Sequence, residues 1–524
     1  MDTDVLVVGA GPTGLMLADQ LVRRGVRTVI IDRHPGPARE TRALGVQART
    51  LEIYAQLGIA ARALELGKQG SGANLWARGR LMAHVPLGEA GRDITPYPYI
   101  LVLGQDDNEM IMGEKLNQLG LSVTWNTELA DFTQGADGVT ATLKGPDGGT
   151  RSLTARCIAG CDGAHSKVRE TCRIGFPGAP YEHVFFVADT ESTGSMVADQ
   201  VNVYLWRDGF HLLFPLRGQD HWRIVGILPE PLRGRDDVAF DDVIPSLRHE
   251  AGASLAIKSC SWFSTYRIHH RAAERFQEGR AFLLGDAAHI HSPVGAQGMN
   301  TGLQDAYNLA WKLSLVLQGR ADEKLLDSYE AERLPVARRL LATTDRGFRL
   351  AVADGWLAGL IRTRIAARVA ALAMRFPAIQ RFAFRTVSQT AIAYPESPLA
   401  MTLAGLPKPA PRAGDRFPWL HLKLAKDGPP VDLFQALDDR HFHLLLFGQP
   451  APDDVAALGF GNLLQVHAVP ADAANTAALA RVKLPPRAFY LNRPDGHVAI
   501  CGTGFHAAAV RHYAETVLGL IGGG

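Results

Sequence analysis

The sequence has few cysteines, no long apolar run and no excess charge of either sign. Its 524 residues include five cysteines, 55 basic and 53 acidic side chains, and carry a formal net charge of +2. An odd number of scattered thiols argues against a disulfide framework and favours a reducing compartment. The balanced charge provides no broad field that would attract nucleic acid or an anionic membrane. No apolar run approaches the roughly 20 residues that span a bilayer.

The cysteine spacing also argues against the common metal sites. Cys157 and Cys161 are separated by three residues, which matches neither a zinc knuckle nor a redox-active Cys-x-x-Cys pair. We therefore expect no metal. The acidic start, Met1-Asp2-Thr3-Asp4, lacks the basic region of a signal peptide, so the sequence predicts a cytoplasmic protein.

The hydrophobic pattern predicts an α/β fold. Residues 4–8 are typical of a buried strand, 13–24 of a helix and 27–32 of a second strand, which together form a βαβ unit. Short apolar runs at 156–160 and 281–285 are typical of further strands in the same sheet. We therefore expect a Rossmann-type sheet that is assembled from distant segments, with other material inserted between them.

The insertions differ in character and divide the chain into four units. These are 1–180, the first part of the Rossmann-type domain with a substrate-domain insertion near 75–105; 181–275, a β-rich substrate domain; 276–395, the second part of the Rossmann-type domain with long helices; and 410–524, a small α/β domain. The proline-rich stretch 395–418 before the last unit is typical of a linker.

A glycine-rich turn, Gly9-Ala10-Gly11-Pro12-Thr13-Gly14, joins the first strand to the first helix. In such a turn the first glycine permits the bend, the second lets the backbone approach a pyrophosphate, and the third allows close packing of helix and strand. The helix N-terminus adds free N–H groups and a partial positive charge. Asp32, at the end of the second strand, is placed to accept hydrogen bonds from a ribose. The turn predicts a dinucleotide site that could take NAD or FAD.

A second motif favours FAD. A buried strand ends at Gly285-Asp286, a loop rich in proline and glycine follows, and a helix begins near Met299. The carboxylate of Asp286 can bind a hydroxyl chain such as the ribityl of a flavin. The N–H groups of Gly298, Met299 and Asn300 suit the pyrimidine edge of a flavin, which becomes anionic on reduction. A dehydrogenase that binds only NAD has no use for this second site.

Three motifs in this order resemble the fingerprints of the single-component FAD-dependent aromatic hydroxylases. They are Gly9–Gly14, Asp162-Gly163 and Gly285-Asp286, and the runs Gly298–Lys312 and Tyr329–Ala337 are similar to the same family. The length and the C-terminal domain resemble the subgroup of phenol hydroxylase, pentachlorophenol monooxygenase and polyketide hydroxylases. The resemblance implies that the last domain is thioredoxin-like. Because that domain lacks a Cys-x-x-Cys pair, we expect a structural or dimer-forming role for it.

The resemblance also implies contacts to the cofactor by single residues. Arg42 matches an arginine that contacts the FAD phosphates, and Gln105 matches a glutamine near the ribityl or phosphate region. Arg33 would lie near the adenosine, and the backbone of Leu129 near the adenine.

Two further positions matter to the reaction that the resemblance implies. Asp162 and Arg169 belong to a motif implicated in both FAD and NAD(P)H binding. Pro293 lies in a loop, 292–295, that in the family runs beside the flavin ring, where the carbonyl of the matching proline is thought to stabilise a flavin hydroperoxide. A simple turn proline is an equally good interpretation of Pro293.

The implied chemistry is oxygen transfer by non-covalently bound FAD to a small phenolic or polyketide-like aromatic. Only one GxGxxG turn is present, so NADPH or NADH is expected as a transient hydride donor, with O2 as the co-substrate. Baeyer–Villiger-type oxygenation, inactivation of an aromatic antibiotic, and flavin binding without turnover are the alternatives. The Trp-x-Trp-x-Ile signature of flavin-dependent halogenases is absent at Trp222. A monomer and a homodimer both fit the sequence.

Residues 201–215 predict a hairpin that turns at Asp208-Gly209 and could cover the substrate. In that register Trp206 faces His211 and Tyr204 faces Leu213. The opposite face, predicted to be core, carries Val203, Leu205, Phe210, Leu212 and Phe214. The mixed face is the candidate roof, where His211 would orient or deprotonate a phenol, although a structural role for His211 is also open. For His289 and His291 we expect structural roles.

Overall fold

The computed structural model describes residues 1–38, 43–206, 209–235, 237–251, 255–291, 296–352 and 359–521. Three sheets of five or more strands dominate the described part of the chain. Smaller sheets of two and three strands lie beside them. One of these is formed by Gly45–Val46, Lys68–Gly70 and Ile100–Val102.

The first sheet is the Rossmann-type layer that the sequence predicts. Its path runs through Gln277–Glu278, Ala281–Leu283, Thr150–Gly160, Thr3–Val8 and Thr28–Ile31. The last four of these strands are parallel, with Val5 opposite Cys157 and Thr28, and Ile158 opposite Ala281. The strands therefore come from three distant segments, as expected. A hairpin, Glu128–Gln134 and Val139–Lys144, pairs antiparallel with the first half of Thr150–Gly160.

The second sheet has eight strands and holds most of the predicted β-rich insertion. Its order is His289–Ile290, Ala256–Ala272, Gly178–Thr193, His221–Ile227, Gly209–Pro215, Val201–Trp206, Gly72–Ala77 and Arg80–Pro86. The early insertion therefore contributes the pair 72–86. Strand Ile100–Val102, which was expected to join them, pairs in the small three-stranded sheet instead. Helix Phe240–Ala251 packs on one face of the large sheet and forms a hydrophobic core with Trp76, Phe186 and Leu213.

The third sheet belongs to the C-terminal α/β unit. Its order is Met401–Thr402, Val498–Gly502, Ala488–Asn492, Phe442–Phe447 and Leu464–Val469. The sequence predicts strands from the runs 443–447, 463–468 and 488–491, and three strands of this sheet lie there. The proline-rich stretch before them is not an open linker, because Met401–Thr402 joins this sheet and a Cβ at Gly414 would lie 2.3 Å from the carbonyl oxygen of Tyr394.

Helices connect and cover these sheets. The main helices are Pro12–Arg23, Ala48–Leu57, Ala60–Leu66, Leu87–Gly91, Gln105–Gln118, Lys167–Thr171, Phe240–Ala251, Gly298–Leu317, Asp327–Val352, Ala367–Ala373, Pro377–Val387, Leu433–Ala436, Ala473–Arg481 and Ala507–His512. Two π-helical turns, Ile361–Ala366 and Tyr513–Val517, adjoin two of them. Helix Gly298–Leu317 lies beside Pro12–Arg23, so the two N-termini predicted to hold the cofactor belong to packed neighbours.

Candidate functional site

The glycine turn has the geometry that a dinucleotide requires. Gly9 has a φ of +102°, and a Cβ there would lie 2.3 Å from the carbonyl oxygen of Cys161. A Cβ on Gly14 would lie 1.9 Å from the carbonyl oxygen of Gly9. Gly11 is different, because its φ of −69° suits any residue and a Cβ there would meet no atom within 4 Å. Packing therefore explains two of the glycines, and the open space at Gly11 is what an approaching pyrophosphate needs.

Asp32 joins the turn to the second strand. Its Oδ2 accepts a hydrogen bond of 2.7 Å from the backbone N–H of Ala10. Its Oδ1 accepts from the backbone N–H of His34 at 2.8 Å and lies equally close to the His34 ring. Asp32 therefore also holds the turn in shape, which sequence reasoning did not anticipate. A carboxylate has further lone pairs, so both roles are compatible.

A cleft of about 1020 Å³ opens at this turn. The predicted cofactor residues that line it are Gly9, Gly11, Asp32, Arg33, Gln105, Leu129 and Asp162. The sequence separates these residues widely, and the sheet brings them to one rim. Leu129 is buried near the start of strand Glu128–Gln134, and its expected backbone contact with the adenine stays a prediction.

Glu109 also lines the cleft and was missed by sequence reasoning. It lies one helical turn after Gln105 and accepts a hydrogen bond of 2.8 Å from the Gln105 side-chain amide. Its other oxygen accepts from the backbone N–H of Ala38, also at 2.8 Å. Burial raises the pKa of the Glu109 carboxyl. The spacing of four residues on one helix face was the available signal.

Asp162 and Arg169 connect two of the fingerprints. Asp162 accepts hydrogen bonds from the backbone N–H groups of Lys167, at 2.7 Å, and Val168, at 3.3 Å, at the start of a short helix. Arg169 is buried, donates to the carbonyl of Ala287 at 2.9 Å, and has its guanidinium carbon 3.9 Å from the centre of the Phe176 ring. Arg169 also donates to the carbonyl of Ala164 at 2.8 Å, so it links the turn that carries Asp286 to the loop of Asp162, although its own side chain does not line the cleft.

The second fingerprint is a tight turn that packs on the first helix. Gly285 has a φ of +57°, and a Cβ there would lie 2.6 Å from the Thr13 hydroxyl oxygen. A Cβ on Gly302 would lie 2.4 Å from the same oxygen. The Thr13 side chain therefore lies against Gly285 and Gly302. Asp286 belongs to this turn, and its side chain is exposed. Desolvation by the surrounding protein raises the pKa of its carboxyl, and the nearby His289 opposes part of that rise.

A buried network supports this turn from behind. Asp305 accepts a hydrogen bond from the backbone N–H of Gly285 at 3.1 Å and from Arg333 Nε at 2.7 Å. His289 Nε2 lies 2.7 Å from Asp305, and His291 lies 2.8 Å from His289. The network agrees with the structural roles expected of the two histidines. Burial would raise the pKa of Asp305, but Arg333 and His289 outweigh it and hold that pKa below its ordinary value.

The N-terminus of helix Gly298–Leu317 offers backbone rather than side-chain groups. A Cβ on Gly298 would meet no atom within 4 Å, and the first intrahelical acceptor, the carbonyl of Gln297, bonds Thr301, so the N–H groups of Gly298, Met299 and Asn300 precede it. The Asn300 amide is occupied. It donates at 2.7 Å to the carbonyls of Gly45 and Ala296 and accepts from the Gln47 N–H at 2.9 Å and the Thr50 hydroxyl at 2.7 Å.

A second cavity, of about 350 Å³, has an almost wholly apolar wall. Gln47 lines it and donates its backbone N–H to Asn300 in this helix. The cavity wall includes Tyr99, Ile100, Val203, Leu205, Phe210, Leu212, Phe214, Met374 and Phe384. Hairpin 201–215 provides one side and helix Pro377–Val387 another. The cavity is therefore connected through one residue to the helix that would carry the flavin edge.

This cavity reverses the predicted orientation of the hairpin. The face expected to be core lines the cavity, although its Phe210 and Phe214 are also buried in hydrophobic clusters, as expected. The mixed face expected to cover the substrate is buried behind the sheet. Tyr204, Trp206 and Leu213 are at most 7% exposed, and Tyr204 and Leu213 lie in the core beneath helix Phe240–Ala251. The register also differs, since Trp206 pairs with Gly209 instead of His211, and Tyr204 pairs with His211 instead of Leu213. The apolar face misled the prediction because a cavity for an apolar ligand and a core have the same composition.

His211 is fully buried in this core and does not contact the cavity. Its ring centre lies 5.4 Å from that of Trp206 and 5.9 Å from that of Phe186. Burial lowers the pKa of His211 to about 3. A histidine that stays neutral behind the sheet is not placed to deprotonate a substrate in the cavity, so the expected acid–base role is not supported.

Arg42 and Pro293 lie outside the described residues. Within the described ranges, no cluster of histidine, cysteine and carboxylate side chains could hold a metal ion. No described helix combines the length and the apolar character that crossing a membrane demands.

The glycine turn and its cleft are typical of a dinucleotide-binding protein, and comparison with known proteins identifies the family. The family described as FAD binding domain matches residues 2–344, and the chain belongs to that family. It is 34% identical to 6-methylpretetramide 4-monooxygenase of Streptomyces rimosus, over 95% of this chain and 90% of the relative. It is 33% identical to pentachlorophenol 4-monooxygenase of Sphingobium chlorophenolicum, over 66% and 64%.

Solved structures agree over nearly the whole chain. An anhydrotetracycline hydroxylase from Streptomyces rimosus aligns with a TM-score of 0.78 and 29% identity, covering 98% of this chain and 99% of its own. A ternary complex of aklavinone-11 hydroxylase with FAD and aklavinone aligns with a TM-score of 0.80 and 26% identity, covering 99% of both chains. The sequence prediction of an FAD-dependent monooxygenase related to the aromatic hydroxylases is therefore confirmed.

Proposed function

We propose that this monooxygenase uses NADPH or NADH and O2 to hydroxylate a phenolic or polyketide-like aromatic of several fused rings. The observation that carries the proposal is the apolar cavity of about 350 Å³, which Gln47 and Asn300 connect to the helix N-terminus at Gly298. An apolar cavity of about 150 Å³ accommodates benzene, so this one suits a larger ring system. Its lining is also typical of small-molecule sites.

The residues around the cleft fit FAD. The open space at Gly11 would receive the pyrophosphate, with Asp32 and Arg33 toward the adenosine and the backbone of Leu129 toward the adenine. Gln105 and Asp162 would contact the middle of the cofactor.

The flavin half would lie between the two turns. Asp286 would bind the ribityl chain, and the N–H groups of Gly298 and Met299 would stabilise negative charge on the pyrimidine edge. Arg42 and Pro293 keep the roles proposed for them at the phosphates and beside the flavin ring. When bound and reduced, FAD supplies the activation of O2 that no side chain can provide.

In the cavity, the protein positions the ring and excludes water. Tyr99 is the one tyrosine among the described residues of the cavity wall. Burial raises its pKa to about 12, so the hydroxyl stays protonated and can donate a hydrogen bond to a substrate oxygen. The aliphatic and phenyl walls contributed by the hairpin would hold the ring system by burial of apolar surface.

We also propose that the C-terminal unit is a thioredoxin-like module with a structural role. Its five-stranded mixed sheet supports this assignment. Cys501 is its one cysteine; it is buried, and burial raises the pKa of the thiol to about 11. A thiol so protonated is a poor nucleophile, so redox exchange is not expected. The five free thiols, of which Cys157 and Cys501 are buried, support placing the protein in the cytoplasm. Assembly as a monomer or a homodimer stays a prediction.

The test is a screen of fused-ring phenols with FAD-loaded protein, in which NAD(P)H oxidation and product mass are followed together. The expected product gains one oxygen atom, labelled when 18O2 is supplied, and keeps its ring size by NMR. A ring-expanded ester would instead indicate Baeyer–Villiger oxygenation. NAD(P)H oxidation without an oxygenated product for any fused-ring phenol would contradict the proposed hydroxylation.

A further inference from the structure

The segment 359–387, here called the helical arm, exposes an unusual amount of apolar surface. Eight of the twelve exposed large apolar side chains in the described chain belong to it. They are Ile361, Ile365, Val369, Leu372, Phe376, Ile379, Phe382 and Val387, with exposures from 38% to 72%. Val387 also lines the apolar cavity, so the outer surface rests on the other seven. Exposed apolar side chains concentrated in one segment indicate an interaction site rather than ordinary surface composition.

Arginines accompany this apolar surface. Between residues 355 and 395 the sequence has six arginines and no aspartate, glutamate or lysine. Four exposed apolar residues follow an exposed arginine directly, in the pairs Arg364-Ile365, Arg368-Val369, Arg375-Phe376 and Arg381-Phe382. Three of the pairs lie in helical segments, where adjacent residues point about 100° apart, so each of those arginines flanks the apolar stripe instead of interrupting it. Arg375-Phe376 lies in the turn between two helices.

Most of these arginines have no partner in the described protein. Arg381 forms an ion pair with Asp93 at 3.2 Å. Arg364, Arg368, Arg375 and Arg385 form no ion pair or side-chain hydrogen bond with any described residue. The arm thus carries an apolar stripe and a set of cations without counter-charges.

We propose that the helical arm docks on an anionic phospholipid surface. Amphipathic helices with arginine beside phenylalanine, leucine and isoleucine lie in the plane of a bilayer interface, where the apolar side chains enter the acyl boundary. Each arginine near such a surface adds attraction to anionic headgroups. The near-zero charge of the whole chain, which argued against membrane binding, conceals this local concentration.

The charge of the helical arm argues against a second copy of the chain as the partner that covers its apolar face. A symmetric dimer built on this face would place the arm against an identical arm. Its unpaired arginines would then meet like charges with no acidic residue from 355 to 395 to neutralise them. An anionic lipid surface supplies the missing counter-charge.

The experiment is vesicle flotation of the FAD-loaded full chain. It compares vesicles of phosphatidylcholine alone with vesicles containing about one part in four phosphatidylglycerol. The charge variant is Arg364→Gln with Arg368→Gln and Arg375→Gln. The apolar variant is Ile365→Ser with Leu372→Ser and Phe382→Ser. The matched control removes three exposed arginines elsewhere, Arg151→Gln with Arg173→Gln and Arg487→Gln.

We expect binding to the anionic vesicles that weakens as salt rises to about 0.5 M. The charge variant should partition at least about tenfold more weakly than the control variant, and the apolar variant should also lose binding. Unchanged FAD absorbance and unfolding temperature would show that the variants fold. Equal binding to both vesicle types, no binding to either, or lipid-independent dimerisation that the apolar variant abolishes would each overturn the proposal.

Discussion

Arg493 in the C-terminal unit donates a hydrogen bond of 2.5 Å to Glu332 Oε1 in helix Asp327–Val352, and both side chains are buried. Lys312 donates a hydrogen bond of 2.8 Å to the other carboxylate oxygen of Glu332, Oε2. Arg493 also donates to Asp495 Oδ1 at 3.0 Å. Burial would raise the pKa of Glu332, but Arg493 and Lys312 outweigh it and hold that pKa well below its ordinary value. A buried ionic network therefore joins the C-terminal unit to the central helices.

Replacing Arg493 with methionine should destabilise the protein by about 3–5 kcal/mol, because it leaves buried carboxylates without their main partner. Urea unfolding measures the free-energy change. The exposed Arg487→Met provides the control, and its effect should stay within about 0.5 kcal/mol. Equal free energies of unfolding for the two variants would contradict the prediction that this network stabilises the fold.

Alanine at Gly11 and at Gly14 should have different effects. Gly11→Ala places its methyl group in open space, so the protein should fold normally but bind FAD at least about tenfold more weakly, a loss of roughly 1.4 kcal/mol. Gly14→Ala would place its methyl group 1.9 Å from the Gly9 carbonyl oxygen, so stability itself should fall. FAD titration and thermal unfolding separate the two effects. Full FAD affinity in Gly11→Ala would exclude pyrophosphate from that space.

Leu212 and Leu213 offer a matched pair on opposite faces of one strand. Leu213→Ala should cost about 2–5 kcal/mol in stability, because Leu213 is fully buried in the core. Leu212→Ala enlarges the cavity and should raise KM or shift substrate preference, with a smaller stability loss. Unfolding and steady-state kinetics on both variants provide the comparison. The reverse pattern would restore the sequence-based orientation of the hairpin.

Tyr99→Phe removes the hydroxyl while keeping the cavity wall. If Tyr99 donates a hydrogen bond to the substrate, catalytic efficiency should fall by about tenfold, as expected from losing a hydrogen bond of roughly 1–1.5 kcal/mol. FAD affinity should not change. The measurements are kcat/KM and the ratio of product formed to NAD(P)H consumed, with Tyr97→Phe as the neighbouring control. An unchanged kcat/KM would remove Tyr99 from substrate binding.

His211 should affect stability against pH but not the pH dependence of turnover. Its pKa is about 3 when folded against 6.5 when exposed, so the unfolded chain binds the extra proton as pH falls below 6.5. Stability from this residue is therefore lost toward acid, by about 1 kcal/mol between pH 6.5 and about 5.5. His211→Leu should lack this loss while keeping the wild-type pH profile of kcat. A changed kcat profile would return His211 to the mechanism.

The motifs that the sequence predicts well are local. The turn at Gly9–Gly14 and the turn at Gly285-Asp286 each depend on a few adjacent residues whose backbone geometry follows from their type. The parallel strands around them were visible because both their faces are buried, which leaves a continuous apolar run.

Side-chain roles were harder to predict because they depend on distant partners. Thr13 packs against Gly285 and Gly302, and the Asn300 amide is taken by Gly45 and Gln47. Neither partner set could be inferred from the motif itself. Glu109 was missed although it lies four residues after Gln105, because only the folded chain brings Ala38 to it.

The sequence alone determined the cofactor class, since glycine turns and strand-end carboxylates act through local backbone geometry and can be identified along the chain. Only the tertiary structure decided where the apolar cavity that we propose for the substrate lies. Alternation divides a strand into two faces but does not say which face meets helix Phe240–Ala251 and which meets helix Pro377–Val387. That choice depends on long-range packing, and it moved the cavity from the face of His211 to the face of Leu212.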